Sequence, residues 1–366
     1  MKRFILLTWV VMGSFFSCAW AQDSIVRNEF QPSLSLDPIN FGFRYDDNVF
    51  RTVSVEDRQS DEAYFVNFGG DLNLSYDVFK GQIAYHLGAD QYQLYSVLNN
   101  LKNSFSFSLG LDVGDWNLTY RKDYFVRACD DPDFNYFDDG NYLEGEWSPE
   151  TNWSIETTLK NYSRAYYEKT DAYQSREFAD QSVELGIQKE MDSTFSLKID
   201  GTYNNRLFNR YMFQVSGGVT LSSASFPLQT DETWTGRLSG HLYVESVLQN
   251  FVLEHQRTNS NSYGFSNTVE SFSWAAVVRP VPSLYLELFF RLYSKVYDVT
   301  PITGNSDLQI GYVDEDSQDL LSVKTSWEWS PQWTASFSVN RVRNESTQPG
   351  VFYIKNILSL EVQRNF

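Results

Sequence analysis

The stretch that decides the fold class is SFSFSLGLDVGDWNLTYRKD, at residues 104–123. Apolar and polar residues alternate along it, and the alternation resumes after the turn pair Gly114-Asp115. A period of two predicts extended strands with one apolar face and one polar face. Two folds fit this pattern. In a soluble β-sandwich the apolar face packs on a core, whereas in a membrane barrel it meets lipid and the polar face lines a lumen.

The same alternation recurs along the chain, and its longest apolar series runs from Leu284 to Leu292. No amphipathic helical pattern of useful length interrupts it, so the sequence predicts one all-β domain. Aromatic residues make up 17% of the chain. This fraction excludes disorder, because disordered chains are poor in aromatic residues.

The N-terminus has the three parts of a secretory signal peptide. Lys2-Arg3 precede an apolar run from Phe4 to Phe16, and Ala19-Trp20-Ala21 forms a small-x-small cleavage site. The apolar run is shorter than the ~20 residues that a spanning helix needs. We therefore predict a cleaved signal peptide at residues 1–21, a short periplasmic segment at 22–37 and a barrel at 38–366.

Charge and cysteine content exclude several classes of function. The formal net charge is −18, and such an acidic chain lacks the basic surface that binds nucleic acid. After cleavage only Cys129 remains, which leaves neither an internal disulfide nor a cysteine-based zinc site. No cofactor motif is present, and we expect no metal ion or cofactor.

The predicted connections fall into two classes that alternate. Short ones lie at 77–80, 114–115, 148–150, 191–193, 281–282 and 330–332, and long polar ones at 48–62, 127–139, 167–174, 258–267 and 299–318. Tight turns at one end and long loops at the other are typical of a Gram-negative outer-membrane barrel. We predict an up-and-down antiparallel transmembrane barrel of about 16 strands (14–18). Residues 204–206 and 247–250 are ambiguous turns in this count.

The C-terminal strand supports the membrane interpretation. From Phe352 to Phe366 it alternates and ends on a phenylalanine, like the signal that the barrel-assembly machinery reads in outer-membrane proteins. The residues of this predicted assembly signal are Leu358, Leu360, Val362 and Phe366. Expected partners are therefore that machinery, outer-membrane lipid and lipopolysaccharide. Oligomerisation stays open.

Residues 41–52, FGFRYDDNVFRT, carry a family resemblance. They precede Ser60-Asp61 and the paired strands NFGGDLNLSYD and KGQIAYHLGADQYQLY. This order, over residues 39–96, resembles the start of a β-barrel porin family often encoded in exopolysaccharide gene clusters. The resemblance implies an outer-membrane barrel and a polysaccharide context, with no established reaction.

The polar faces of the strands contain both signs of charge. The predicted lumen-lining residues are Asp112, Arg121, Lys198, Asp200, Glu287, Arg291, Lys324, Glu328, Lys355 and Glu361. Side chains cannot fill the bore of a barrel of about 16 strands, so a water path is expected. The sequence thus predicts a passive diffusion porin for small hydrophilic solutes or polysaccharide. Its acidic balance predicts a mild preference for cations.

Two alternatives differ from a porin. The first is a non-conducting structural or adhesion barrel that binds a partner or glycan through its outer loops. The second is a barrel hydrolase using His86, His241 or His255, but no local nucleophile motif accompanies them. We expect no enzymatic activity.

An acidic outer loop is predicted around residues 130–139. Its carboxylates are Asp130, Asp131, Asp133, Asp138 and Asp139. The spacing begins like a calcium loop, but Tyr136 replaces the required glycine and the closing glutamate is misplaced. We interpret the segment as a solvated acidic loop.

Overall fold

The computed structural model describes residues 30–47, 59–76, 78–130, 135–150, 152–166, 177–216, 219–222, 224–299, 319–344 and 353–365. The predicted signal peptide, residues 1–21, lies outside these ranges. The strands are β1 (Phe30–Leu36), β2 (Ile39–Asp46), β3 (Asp61–Tyr76), β4 (Phe79–Tyr92), β5 (Asn100–Val113), β6 (Trp116–Cys129), β7 (Tyr136–Glu150), β8 (Trp153–Tyr166), β9 (Phe178–Glu190), β10 (Phe195–Tyr211), β11 (Phe213–Ser216), β12 (Val219–Ser222), β13 (Leu228–Val244), β14 (Val247–Ser260), β15 (Asn267–Val281), β16 (Leu284–Tyr297), β17 (Asp319–Ser330), β18 (Trp333–Asn344) and β19 (Tyr353–Arg364). A 3₁₀ turn spans Ser96–Leu98, and no helix in the described ranges is long and apolar enough to cross a bilayer.

The strands form a closed antiparallel barrel with 16 positions in its wall, which confirms the predicted fold class. Neighbouring strands pair in chain order, and β19 pairs with β2 to close the ring, from Ile357 opposite Asp46 to Arg364 opposite Ile39. The small hairpin of β11 and β12 lies outside this ring. The β2–β19 pair thus joins the two ends of the sheet, as a barrel in lipid requires.

One wall position is shared by two strands. Both β1 and β2 pair with β3, and the break between them falls at Asp37-Pro38. Proline has no backbone N–H to give to the ladder, while the N–H of Asp37 still donates to the carbonyl of Gly69 at 3.0 Å. Residues 30–36, which we assigned to a periplasmic segment, therefore lie in the sheet as β1.

The seam between β2 and β19 uses the acidic residues of the Tyr45-Asp46-Asp47 motif. The Lys355 ammonium lies 2.9 Å from the Asp46 carboxylate. The Asp47 carboxylate accepts from the backbone N–H of Asn356 at 2.6 Å and from its side-chain amide at 2.7 Å. These contacts give the two aspartates of the motif a structural role in closing the ring.

The connections sort as the sequence predicts, with differences in detail. Short connections follow β3, β5, β7, β9, β13, β15 and β17, and longer ones join the strands at the other end. Residues 204–206 lie inside β10 and residues 247–250 begin β14, so neither is a turn. The sequence analysis missed the turn at 245–246 and the longer connections at 93–99 and 212–227.

The two faces of the wall differ in chemistry. Residues opposite each other in an antiparallel pair share a face, so the register extends each face from strand to strand. One face carries large exposed apolar side chains, among them Phe79 and Leu360, which are 58% and 53% exposed. The other face carries the ion pairs described below. An outward apolar face and a polar interior are the arrangement of a membrane barrel.

Tryptophans on the apolar face cluster beside the short turns. Trp116 stacks on Trp147 with centroids 5.7 Å apart, and Trp329 stacks on Trp333 at 6.2 Å. Amphipathic aromatic rings favour the level of the lipid headgroups. These pairs therefore mark one interface of the membrane.

Candidate pore lining

The structure places all ten predicted lumen residues on the polar, inward face of the wall. In each neighbouring strand, the residue that lies opposite one of the ten is also on the inward face. Ion pairs join Asp112 to Lys80, Arg121 to Glu144, Lys198 to Glu156, Asp200 to Arg237, Glu287 to Lys324, and Lys355 to Asp46. Arg291 lies 5.9 Å from the ring centroid of Tyr293. That these side chains line a conducting pore stays a prediction.

Two arginine–aspartate pairs dominate the inner wall of β7–β10. Arg164 contacts Asp138 through Nε and Nη2 at 2.8 and 2.9 Å. Arg206 contacts Asp180 in the same way at 2.7 and 2.8 Å. Asp138 is 7% exposed and Asp180 is 2% exposed. A planar guanidinium matches a carboxylate with two parallel hydrogen bonds, so these pairs fix the arginine side chains against the wall.

Aromatic rings lie between these charged pairs. We give the name aromatic track to the rings of Tyr142, Tyr162, Phe178 and Phe208 together with Lys160, whose ammonium lies between the two tyrosines. The Lys160 ammonium lies 5.8 Å from the centroid of Tyr142 and 4.6 Å from that of Tyr162. Phe178 continues the series, 5.9 Å from Tyr162 and 6.0 Å from Phe208. Because ring faces are electron-rich, they attract the neighbouring cations as well as each other's edges.

Arginines cover part of the track. The Arg121 guanidinium lies 4.4 Å from the Tyr142 centroid, and Arg206 lies 4.2 Å from that of Phe178. Arg210 lies 4.5 Å from Phe208. Each track residue still keeps part of its surface exposed.

The wall of β17–β19 is lined differently. Small hydroxyl residues are the most frequent kind at its described inward positions: Ser322, Ser326, Thr334, Ser336, Ser338 and Ser359. Leu320, Val342 and Ile357 are apolar members of the same face. Ser326 and Ser336 share a hydrogen bond with their oxygens 2.9 Å apart. Lys324, Glu328, Lys355 and Glu361 supply charge. No aromatic side chain occupies an inward position of these strands among the side chains that the structure describes.

The predicted acidic outer loop is shorter than we expected. Asp138 and Asp139 lie in β7, where successive side chains point to opposite faces. Asp138 faces inward to Arg164, whereas Asp139 faces outward and forms an ion pair with Lys122. Asp130 follows β6, and Asp131 and Asp133 lie outside the described residues. The predicted loop was too long because it included Tyr136 and Phe137, which are the first two residues of β7.

The three histidines lie apart from one another. His86 Nε2 is 2.7 Å from the Asp37 carboxylate, and His241 Nδ1 is 2.6 Å from the Asn250 side-chain oxygen, both on the inward face. His255 faces outward, 3.7 Å from Glu270. Within the described ranges, no group of three or more histidine, cysteine and acidic side chains is arranged to hold a metal ion.

Three residues of the predicted assembly signal share the lipid-facing side of β19. Leu358 and Leu360 are exposed, and Val362 lies opposite Phe41 across the seam. Phe366 lies outside the described residues. The three side chains thus form an apolar strip beside the closing strand pair.

Comparison with known proteins supports the fold. No protein-family model and no curated protein sequence matches the chain. Among solved structures, outer-membrane-expressed OmpT of Vibrio cholerae is similar over 93% of this chain and 99% of its own, with a TM-score of 0.51 and 8% identity. An anion-selective porin from Comamonas acidovorans matches 92% of this chain and 100% of its own, with a TM-score of 0.48 and 8% identity. OprD from Pseudomonas aeruginosa matches 91% and 94%, with a TM-score of 0.46 and 11% identity.

At such low identity, the OmpT match shows a shared fold and nothing finer. That fold agrees with the apolar outer face and the sorted loops of the wall. The protein is an outer-membrane β-barrel.

Sequence reasoning overlooked the aromatic track, although its signal is present. The segment KNYSRAY, residues 160–166, places cation, ring, cation and ring at every second position. In β10, Arg206, Phe208 and Arg210 repeat the pattern. In a strand this spacing puts all these side chains on one face.

Proposed function

We propose that the protein is a passive diffusion porin with a hydrated, mixed-charge lumen. The observation that carries the proposal is the inward face of a 16-position ring, which presents ion pairs, hydroxyl groups and partly exposed aromatic rings. Barrels of 16 to 18 strands leave an aqueous channel, because side chains from the wall do not reach across it. The proposal involves no reaction, metal ion or cofactor.

Selectivity in this proposal is mild. The inward charges are largely paired across neighbouring strands, which cancels much of their field at short range. The whole chain has a formal net charge of −18, and an acidic surface raises the local concentration of cations at the pore mouths. We therefore propose small hydrophilic solutes as cargo, with a modest preference for cations over anions.

A link to exopolysaccharide export is a finer proposal. Its support is the resemblance of residues 39–96 to a porin family often encoded in exopolysaccharide gene clusters. The surroundings are also proposals: outer-membrane lipid and lipopolysaccharide against the apolar face, and barrel-assembly machinery that recognises the apolar strip of β19.

Planar-bilayer recording tests the function. The full chain, expressed with its N-terminal segment and purified from membranes in detergent, should insert and give stepwise, ohmic conductance in potassium chloride. The detergent buffer alone and a heat-unfolded sample serve as controls. Folded protein that inserts in vesicles but gives no steps would reject the porin and favour a non-conducting barrel.

A further inference from the structure

The aromatic track runs from the outer end of the wall toward its middle. Phe178 is the first residue of β9, and Phe208 lies near the end of β10 that leads to the outer loops. Tyr142 lies near the middle of β7. The ring centroids of Tyr162 and Phe178 lie 5.9 Å apart, and those of Phe178 and Phe208 lie 6.0 Å apart. These distances are similar to the width of one sugar ring. Simple diffusion of ions does not require such a series.

The register places this series on the lumenal side. Tyr142 lies opposite Arg121 and Lys160, while Tyr162 lies opposite Asp180, which pairs with Arg206. All of these belong to the face that carries the ion pairs. The rings are partly exposed, so a solute in the lumen can contact them.

The charges around the track balance. Five cations, Arg121, Lys160, Arg164, Arg206 and Arg210, accompany five carboxylates, Asp123, Asp138, Glu144, Asp180 and Asp231, so the formal sum is zero. Gln229 links the last pair, because it accepts from Arg210 and donates to Asp231. A wall without net charge gives no advantage to an ion of either sign. It still presents N–H donors and carboxylate acceptors next to apolar rings.

This combination matches the chemistry of sugars. A pyranose ring has a face of C–H groups, which stack on the electron-rich face of an aromatic ring. Its hydroxyl groups both donate and accept, so guanidinium and carboxylate groups beside the rings can bond them. Binding sites for small molecules commonly combine apolar surface with a few well-placed polar groups.

We propose that the aromatic track is a binding site for neutral saccharides, which move along it from the outer mouth into the barrel. The inference rests on the proposed porin function, since it makes the lumen the route of the sugar. The wall of β17–β19 offers hydroxyl groups but no described inward ring, and it serves as the matched control surface.

The test measures block of the ion current by maltohexaose, a neutral glucose oligomer. Phe178→Leu removes one ring of the track but keeps an apolar side chain, whereas Phe178→Tyr keeps the ring. Ser338→Ala alters the opposite wall. We expect Phe178→Leu to weaken the blocking constant about tenfold, the loss expected for one aromatic contact. Phe178→Tyr and Ser338→Ala should remain within twofold of the unmodified protein.

Two further probes separate the possible outcomes. A polyethylene glycol of similar size should block less than maltohexaose, and an acidic trigalacturonate should show no advantage over it. Equal block by the glycol, or equal block of Phe178→Leu and the unmodified protein, would overturn the saccharide site while leaving the porin intact. Stronger block by trigalacturonate would assign the track to acidic solutes instead.

Calorimetry in detergent provides a readout that needs no current. Titration of maltohexaose into the folded chain should show binding that Phe178→Leu weakens by the same factor. If the folded protein conducts no current yet binds maltohexaose in this way, the porin proposal fails and the site survives. Absence of binding in the calorimeter, together with unblocked channels, rejects the site.

Discussion

The walls formed by β6–β10 and by β17–β19 have the same outer face and different inner faces. Both present mostly apolar side chains on the outward face, such as Leu118 on β6 and Phe337 on β18. Inside, the first wall carries the aromatic track and bidentate arginine–aspartate pairs, while the second carries serines and scattered charges. The fold constrains only the side chains on the outward face of each strand, so the side chains on the inward face can differ according to function.

The difference also concerns rigidity. On the β6–β10 wall, nearly buried aspartates hold arginines in place, and these in turn cover the rings. On the β17–β19 wall, Lys355 is held close only at the seam, 2.9 Å from Asp46 of β2. Lys324 of β17 lies 3.8 Å from Glu287 of the neighbouring β16, a distance too long for a direct hydrogen bond. We infer that the first wall is preorganised to hold a solute and the second wall is not.

The largest expected effect comes from breaking a buried pair on the first wall. Asp138→Ala leaves Arg164 without its bidentate partner. We expect the free energy of unfolding to fall by about 2 kcal/mol, less than for a fully buried pair because Arg164 retains access to lumenal water. Urea unfolding of the refolded barrel in detergent, followed by tryptophan fluorescence, measures it.

The control for that comparison is Glu361→Ala on β19. It removes a partly exposed carboxylate from the second wall and should change the free energy of unfolding by no more than about 0.5 kcal/mol. Equal losses for the two variants would show that the walls do not differ in rigidity.

The smallest expected change in stability comes from a turn whose side chains do not belong to the inward face of either wall. In the turn after β9, the hydroxyl and backbone N–H of Thr194 donate to Asp192 Oδ1 at 2.6 and 2.7 Å, and these bonds lower the pKa of that carboxyl. The folded pKa lies below the unfolded one. The resulting stabilisation is therefore present at neutral pH and is lost as the pH falls below the ordinary aspartate pKa of 3.8.

Asp192→Asn should thus be slightly less stable than the unmodified protein at pH 7. The difference should shrink toward pH 3, as measured by urea midpoints at both values. Ser193→Ala, in the same exposed turn, should show no pH-dependent difference. A gap that widens on acidification would contradict the sign argued for Asp192.

The alternating residues made the strands, the two faces and the ring size predictable from the sequence. The turn at 245–246 gave only a weak signal, because Val244-Glu245-Ser246-Val247 contains no glycine, proline, asparagine or aspartate and only Ser246 favours a turn. Glu245 nevertheless adopts a positive φ of 54° there. The division of the first strand of the ring into β1 and β2 was also missed in the sequence. Pro38 signals a break in the strand, but nothing in the local pattern shows that residues 30–36 before it pair with β3.

The site was predictable in part. Alternation assigned the ten charged residues to the polar face, since a period of two decides the face of every residue in a strand. The partners of those charges depend on the register between strands, as for Lys198 and Glu156, which are 42 residues apart in the sequence. Local sequence does not contain that register, and for the same reason the aromatic track emerged only from the paired strands.

The central claim is that the polar face of the wall meets water inside the barrel and the apolar face meets lipid. Two neighbours on β19 test it directly: Glu361→Cys and Leu360→Cys, each in a Cys129→Ala background and reconstituted in a planar bilayer. A charged methanethiosulfonate reagent should lower the single-channel conductance of Glu361→Cys and leave Leu360→Cys unchanged. Modification that reduces the current only in Leu360→Cys, or equally in both, would contradict the assignment of the two faces.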